Sequence, residues 1–177
     1  MRLFGFKTQF ALEYEKYDDE ESYFEMWVKG VPVCCFILRG ERWTYRWDLS
    51  FVVAWLNENL EYIIQEDSFP FDIPGDTSIE LLKESGKFES DDEDEFFEWF
   101  SQWQDWYFRH SWYSNRGGSF LAEVLFRRVG DQIEIEWDNT STYEDVTFVN
   151  PKGLYYIDLD VFKQVVEQFL ADQKGGK

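Results

Sequence analysis

Residues 90–112, SDDEDEFFEWFSQWQDWYFRHSW, constrain the fold more strongly than any other part of this sequence. The stretch begins with a run of carboxylates, continues with a dense series of aromatic residues and ends near His110, the one histidine of the chain. Some aromatic residues recur at spacings of four, three and four, which place them on one face of an α-helix. The residues with this spacing are Phe96, Phe100, Trp103 and Tyr107. Other aromatic residues widen that face, so the pattern predicts a helix over residues 91–108 that is covered on more than one side and lies at the centre of the domain.

Both ends of this helix carry residues that are typical of helix termini. Ser90 and Glu93 fit a capping box, in which two side chains accept hydrogen bonds from free backbone N–H groups. Carboxylates in the first turn complement the positive end of the helix dipole. Arg109 and His110 complement the negative end, so the sequence predicts where the helix begins and where it ends.

The charge of the chain restricts its partners. Thirty-six acidic residues against 17 basic ones give a net charge of −19 over 177 residues. Hydrophobic residues make up 44% of the sequence and aromatic residues 21%, which is typical of a folded domain and not of a disordered acidic chain. A polyanion repels nucleic acid and anionic membrane surfaces. We therefore expect a basic protein partner, no direct nucleic-acid binding and no membrane contact.

The cysteines and the apolar segments indicate a cytoplasmic protein without a cofactor. Cys34 and Cys35 are adjacent and point to opposite faces of a strand, so they do not form an ordinary disulfide. A zinc site needs further cysteines or histidines, and the carboxylate run lacks the spacing of an EF-hand loop. No segment reaches membrane-spanning length, and we expect no metal site and no cofactor.

Periodicity predicts an α+β fold, in which mainly antiparallel sheets pack with about four helices in a single domain, residues 1–177. Predicted strands cover residues 3–15, 23–29, 33–39, 121–129, 132–138 and 146–149, and a turn is expected at residues 151–153. The strand over 132–138 alternates strictly, which predicts a half-buried strand with an anionic outer face. The other predicted helices cover residues 48–65, 78–85 and a segment that begins after Asp158. The proline-rich connection at residues 68–76 is the best candidate for a subdomain border.

The helix over residues 91–108 and the residues that follow it are candidates for partner binding. Its carboxylate run would attract a basic protein, although a solvated helix start explains the same run. Its surplus aromatic residues would anchor an interface, although core packing explains any one of them. The candidate partner-binding residues are Asp91, Asp92, Glu93, Asp94, Glu95, Trp99, Trp103, Trp106, Trp112 and Tyr113. None of the residues is a candidate for catalysis, because no nucleophile is paired with a base.

A small basic cluster stands out in this acidic sequence. It could bind an anionic ligand, with the histidine as acid or base and the arginines as clamps for phosphate or carboxylate. The alternative is structural, because these cations can also close a helix dipole and pair with carboxylates. The candidate anion-binding residues are Arg109, His110, Arg116, Arg127 and Arg128.

The segment of residues 109–139 resembles a group of uncharacterised bacterial proteins. Their pattern combines an acidic-aromatic helix, an Arg-His-Ser step, a loop of small residues, a strand that ends in Arg-Arg and a strand similar to Glu-Ile-Ser-Trp. The matching residues are Arg109, His110, Ser111, Gly117, Gly118, Phe126, Arg127, Arg128, Glu134, Ile135 and Trp137. The chain departs from the pattern at residues 120–123, where a proline is common, and at Glu136, where a serine is usual.

The resemblance implies a bacterial conflict or mobile-element setting. In some of these proteins the domain occurs beside a zinc metallo-endopeptidase of the repressor-cleaving type, but this chain has no HExxH motif, so that activity is not implied. We therefore expect a non-enzymatic, acidic protein-binding domain of the immunity or accessory type. One alternative is a DNA mimic that inhibits a nucleic-acid enzyme. Another is a small-molecule or nucleotide enzyme that uses His110 and the nearby arginines.

Overall fold

A computed structural model describes residues 1–175, which form four α-helices, a short 3-10 helix and ten strands. The helices are α1 (Ser50–Gln65), α2 (Ser78–Ser85), α3 (Glu93–His110) and α4 (Leu159–Gly175), and the 3-10 helix is Trp112–Asn115. The first six strands are β1 (Arg2–Phe6), β2 (Phe10–Lys16), β3 (Ser22–Val28), β4 (Val31–Pro32), β5 (Cys35–Leu38) and β6 (Glu41–Trp47). The other four are β7 (Leu125–Val129), β8 (Gln132–Asp138), β9 (Val146–Phe148) and β10 (Lys152–Asp158).

The strands form two antiparallel sheets. The larger sheet has the order β1-β2-β3-β6-β5-β9, and β4 pairs with β3; the smaller sheet has the order β10-β8-β7. Every pairing between these strands is antiparallel. The predicted α+β class, its antiparallel sheets, its four helices and its single domain are confirmed.

The hydrophobic core lies between the sheets and the helices α1 and α4. Alternate residues of β2 and β3 point into it, among them Leu12 and Met26, and α4 contributes Phe162 and Phe169. Each such side chain stabilises the fold by about 2 kcal/mol relative to an exposed position. No residue of α3 belongs to this hydrophobic cluster, as far as residues 1–175 show. Only the C-terminal end of α3 contacts it: the carbonyl of Phe108 accepts from the indole N–H of Trp55. The prediction that α3 is the central, enclosed helix is therefore wrong, and α3 lies at the periphery.

One predicted strand and one predicted turn are also wrong. Residues 3–15 form the hairpin of β1 and β2, because the apolar alternation continues on both sides of a turn that lacks the usual turn residues. Residues 151–153 do not form the predicted turn, because β10 already begins at Lys152. Gly153 lies opposite Trp137 in the pairing of β10 with β8, and a Cβ at Gly153 would come within 2.2 Å of that indole ring. A glycine that makes room for a large ring was misread as a chain reversal.

The helix ends are capped mainly as the sequence predicts. Thr77 accepts from the N–H of Glu80 at the start of α2, and Asp158 accepts from two N–H groups at the start of α4. The cap of α3 is Asp92, whose Oδ1 accepts from the N–H groups of Asp94 and Glu95, so the predicted capping box at Ser90 is wrong. A carboxylate two residues closer to the helix satisfies the same free donors.

The connection at residues 68–76 packs against α3 through two aromatic rings. Phe69 lies 4.7 Å from the ring of Trp106, and Phe71 lies 5.4 Å from the ring of Trp99. The segment thus joins α3 to the rest of the domain. Among the described residues, no helix combines the length and the apolarity needed to cross a membrane.

Candidate functional site

One side of α3 anchors the helix to the protein. Trp99 stacks between Phe71 and Phe88, with the Phe88 ring 4.9 Å away, and Trp106 stacks on His110 at 4.4 Å. Trp99, Trp106 and His110 are spaced by seven and four residues, so they share one face. This anchoring face connects α3 to its neighbours, and the hydroxyl of Tyr107 adds a contact by donating to Glu123. The side of the helix opposite the anchoring face is exposed.

A row of stacked aromatic rings follows the anchoring face along α3. Ring centroids of consecutive members lie 6.3, 6.0 and 5.6 Å apart in the series Phe96, Phe100, Trp103 and Tyr107. Offset stacking of this kind stabilises each pair by about 0.5–1.5 kcal/mol beyond the area that is buried. The row holds these rings in one orientation, so the surface is ordered before any partner arrives.

Large aromatic side chains remain exposed on α3. Phe97 is 65% exposed, and Phe96, Phe100 and Phe108 are each more than one-third exposed. Single exposed apolar residues are ordinary, but a contiguous patch of them is typical of an interaction site. The rings of Phe97 and Phe100 each lie 6.3 Å from that of Phe96, and we call these three residues the aromatic patch of α3.

Carboxylates surround the aromatic patch. Seven of the ten residues from 89 to 98 are acidic. Glu98 and Asp105 continue the negative charge along the helix on the line that begins at Asp94, at spacings of four and seven. None of these carboxylates takes part in a salt bridge with any described residue. The patch therefore lies within an uncompensated negative field.

The structure places the predicted partner-binding residues in two groups. The carboxylates of Asp91, Asp92, Glu93, Asp94 and Glu95 are exposed at the start of α3. Trp99, Trp103 and Tyr113 are partly buried. Trp106 and Trp112 are buried, and the indole N–H of Trp112 donates to the carbonyl of Ala122 at 2.7 Å. These two tryptophans are packing residues, and their assignment to a partner surface is corrected.

The phenylalanines of the aromatic patch are not among the residues predicted from the sequence, because that prediction rests on residue type and not on the side of the helix that each residue occupies. The signal was present in the sequence. Phe97 is one residue from the stacked row and two from Trp99, so a helix that is anchored through Trp99 must direct Phe97 away from the protein.

The predicted basic cluster does not converge on one ligand position. His110 is fully buried, with Nδ1 2.6 Å from the carbonyl oxygen of Phe126 and Nε2 2.7 Å from Oε2 of Glu66. Burial lowers the pKa of His110 below its ordinary value, against the opposing effect of the Glu66 carboxylate. Arg109 pairs with Oε1 of the same Glu66 at 2.9 Å. These contacts join the ends of α1 and α3 to β7.

The other arginines have separate structural contacts. Arg127 pairs with the buried Glu134 at 2.8 Å, and Arg128 donates to the backbone carbonyl of Ile64 near the end of α1. Arg116 lies over the ring of Tyr113 at 4.2 Å. Among the described residues, these cations already have partners, which favours the structural alternative for the cluster.

The predicted anionic outer face of β8 is also corrected. Glu134 is fully buried and accepts from the N–H and the hydroxyl of Ser78, from Arg127 and from the hydroxyl of Tyr156. Glu136 accepts from the N–H of Ile79 at 2.8 Å. These carboxylates hold the first turn of α2 against the sheet, because carboxylates are favoured at a helix N-terminus. Strand alternation identified the face correctly, but α2 covers it.

Comparison with models of protein families, with curated proteins and with solved structures gave no match. Within residues 1–175, no group of three or more histidine, cysteine, aspartate or glutamate residues could hold a metal ion. Cys34 and Cys35 are both free thiols, as their adjacency predicts. We therefore take the exposed aromatic and acidic surface of α3 as the candidate functional site.

Proposed function

We propose that this protein is a binding domain without catalytic activity, which captures a basic protein through the exposed surface of α3. The observation that carries the proposal is the aromatic patch, fixed on a peripheral helix and flanked by carboxylates that form no salt bridge within residues 1–175. Exposed aromatic rings provide most of the binding energy in many interfaces. Uncompensated carboxylates speed the encounter with a cationic partner and select against anionic ones.

The composition of the surface favours a protein partner over DNA mimicry. A DNA mimic imitates a backbone of phosphates and needs a continuous anionic stripe. On α3 the exposed Phe97 lies between the carboxylates of Asp94 and Glu98 in sequence, and Phe100 follows directly on the same helix. Such a surface suits a partner that combines lysine or arginine with apolar side chains. Immunity or accessory proteins of bacterial conflict systems need this kind of recognition, and that setting is suggested by the sequence resemblance alone.

The burial of His110 disfavours the alternative of an enzyme that uses this histidine. Both ring nitrogens have hydrogen-bond acceptors within the fold, and the side chain has no exposed surface. A general acid or base must reach the substrate directly or through one water molecule. The contacts of His110 are those of a residue that joins elements of the fold.

The proposal is tested by calorimetric titration of the purified protein with the product of the adjacent gene at low salt. Phe97→Ala combined with Phe100→Ala should weaken binding strongly, since aromatic anchors each contribute about 2 kcal/mol or more. The matched control is Leu154→Ala, which removes an exposed apolar side chain from β10. The control should leave the affinity unchanged.

A second pair of variants tests the charge. The triple variant Glu93→Gln, Asp94→Asn and Glu98→Gln should lower the association rate and its dependence on salt. The control carries the same charge change at exposed positions elsewhere, Glu41→Gln, Glu144→Gln and Asp145→Asn. Absence of binding at low salt, or an equal loss in both triple variants, would contradict the proposal. Displacement of the partner by duplex DNA would favour mimicry instead.

A further inference from the structure

The face of the larger sheet that points away from the core contains a cavity of about 530 Å³. Strand alternation creates it: Leu12 and Met26 point into the core, whereas their neighbours Glu13 and Glu25 point to the opposite face. At its rim, Glu15 pairs with the N-terminal ammonium group of Met1 at 3.5 Å. The other polar and aromatic lining consists mainly of two carboxylates, three aromatic side chains and one arginine. These residues are Glu13, Tyr23, Glu25, Trp27, Arg42 and Trp43.

The two carboxylates lie directly opposite each other on β2 and β3. Glu13 is 9% exposed and Glu25 is 5% exposed, although both are on the outer face of the sheet. Like charges at directly opposed positions destabilise a sheet. Burial raises the pKa of Glu25 to about 7, backbone N–H groups partly oppose that effect, and the charge of Glu13 adds to it. Within the fold alone, the ionised form of Glu25 is therefore disfavoured.

Lys7, which does not itself line the cavity, places its ammonium group against two of the lining side chains. Its Nζ lies 2.7 Å from Oε2 of Glu13 and 4.2 Å from the centre of the Trp27 ring. The indole N–H of Trp27 donates to the same carboxylate oxygen at 2.8 Å, so the Trp27 ring and the Glu13 carboxylate are held next to each other. A carboxylate and an aromatic face together form a favourable environment for a cation. The charge of Glu13 is thus neutralised within the fold.

Glu25 has no such partner. Its Oε1 accepts from the backbone N–H groups of Cys34 at 2.6 Å and Met26 at 3.1 Å. Within the described part of the chain, no lysine, arginine or histidine forms a salt bridge with it. The guanidinium of Arg42 is directed elsewhere, since its Nε donates to the Cys35 thiol at 3.0 Å. Among the described residues, Glu25 therefore lacks the cationic partner that buried charges ordinarily have.

We propose that this cavity is a second binding site, which takes a primary ammonium group on an aliphatic chain, with Glu25 as its counter-ion and the rings of Trp27 and Trp43 beside its methylene groups. A metal ion is a poor fit, because no described cluster offers three suitable ligands. An anion would be repelled by the carboxylates. The ammonium can belong to a small polyamine or to a lysine side chain. The site is independent of α3 and of the function proposed for it.

The test is a titration of the full-length protein, labelled with ¹⁵N, at a pH of about 8, where Glu25 is mainly ionised. The probes are 1,4-diaminobutane and the capped amino acid Nα-acetyl-lysine-N-methylamide, and n-pentanol is the uncharged control. Binding should shift the indole N–H resonances of Trp27 and Trp43 to saturation with at least one amine, and n-pentanol should not shift them. A preference for the diamine identifies a polyamine site, and a preference for the lysine derivative identifies a site for a protein side chain.

The Glu25→Gln variant tests the role of the counter-ion. It should weaken amine binding by about tenfold or more, since one charge-assisted hydrogen bond contributes about 1.5–3 kcal/mol. Glu98→Gln, which removes an exposed carboxylate from α3, should leave the binding unchanged. The dispersion of the amide resonances shows whether each variant is folded. Resonances that do not shift with either amine, or that shift equally in the wild type and a folded Glu25→Gln variant, would overturn the proposal.

Discussion

The carboxylates at the start of α3 and those of β8 belong to the same acidic chain but have opposite roles. On β8, Glu134 is fully buried and has four hydrogen-bond donors within the fold, including Arg127. On α3, the side chains of Glu93 and Glu98 are exposed and form no salt bridge with the described residues. The first group stabilises the domain. The second group, apart from the cap residue Asp92, has little contact with the fold, and its charge is available to a partner under the proposed function.

The aromatic residues divide in the same way. Trp106 and Trp112 are buried and join α3 and the chain after it to their neighbours. Phe97 and Phe100 are exposed on the same helix. Charge and aromatic content alone therefore do not locate a binding surface; the decisive property is whether the fold already supplies a partner for each side chain. Four predictions test this division, from the largest expected effect to the smallest.

The largest effect is expected for Glu134→Ala. The substitution leaves Arg127 and Ser78 without their buried acceptor, so the free energy of unfolding should fall by about 3–5 kcal/mol. Glu98→Ala on α3 should change it by less than about 0.5 kcal/mol. Urea unfolding of the two variants measures both values. Equal destabilisation would remove the distinction between the two groups of carboxylates.

Trp106→Ala should destabilise the protein by about 3 kcal/mol, because it opens a cavity between Phe69 and His110. Phe97→Ala should have an effect within about 0.5 kcal/mol, because its ring is 65% exposed. Thermal and urea unfolding both measure the difference. A large loss of stability in Phe97→Ala would show that the aromatic patch serves the fold.

The raised pKa of Glu25 predicts that the stability of the protein depends on pH. Its folded pKa of about 7 lies above the ordinary value of 4.5, so the folded protein binds the proton more tightly than the unfolded chain does. This contribution is fully present below pH 4.5 and is lost as the pH rises through 7. Over that range the stability of the wild type should fall by about 3 kcal/mol relative to Glu25→Gln. Parallel pH profiles of the two proteins would contradict the shifted pKa.

The smallest effect concerns the cap of α3. Asp92→Ala should lower the stability by about 1 kcal/mol, since the free N–H groups of Asp94 and Glu95 lose their acceptor. Ser90→Ala should have a smaller effect. Urea unfolding and the helical circular dichroism of both variants measure the difference. A larger loss in Ser90→Ala would restore the capping box as the start of the helix.

Local patterns predicted most of the fold. The helices α1, α2 and α4 and the hairpin of β7 and β8 followed from apolar periodicity and from capping residues, which act within a few neighbouring residues. The pairing of β5 with β9, which places Phe36 opposite Phe148, depends on contacts between distant segments, which spacing does not encode. The same reason explains the error over α3. Its apolar circumference was visible, but only the tertiary structure shows that one side faces Phe69, Phe71 and Phe88 while another remains exposed.

The candidate sites were less predictable than the fold. The acidic start of α3 could be read directly from the sequence, whereas the exposure of Phe97 depends on which side of the helix is anchored. The cavity at Glu13 and Glu25 requires the register of β2 with β3, since the two residues are twelve positions apart in the sequence. The arginines show the reverse case. Their clustering in sequence suggested one site, but neighbouring residues of β7 point to different sides and find separate partners.

Photo-cross-linking from the aromatic patch tests the central claim most directly. The photoreactive residue p-benzoylphenylalanine replaces Phe97 in one variant and Leu154 in the other, so both positions are exposed and apolar at the start. The proposed function predicts that the variant at position 97 forms a cross-link with a basic protein, the product of the adjacent gene, and that added salt suppresses it. A cross-link from position 154 instead, or the same yield from both positions, would contradict the assignment of α3 as the binding surface.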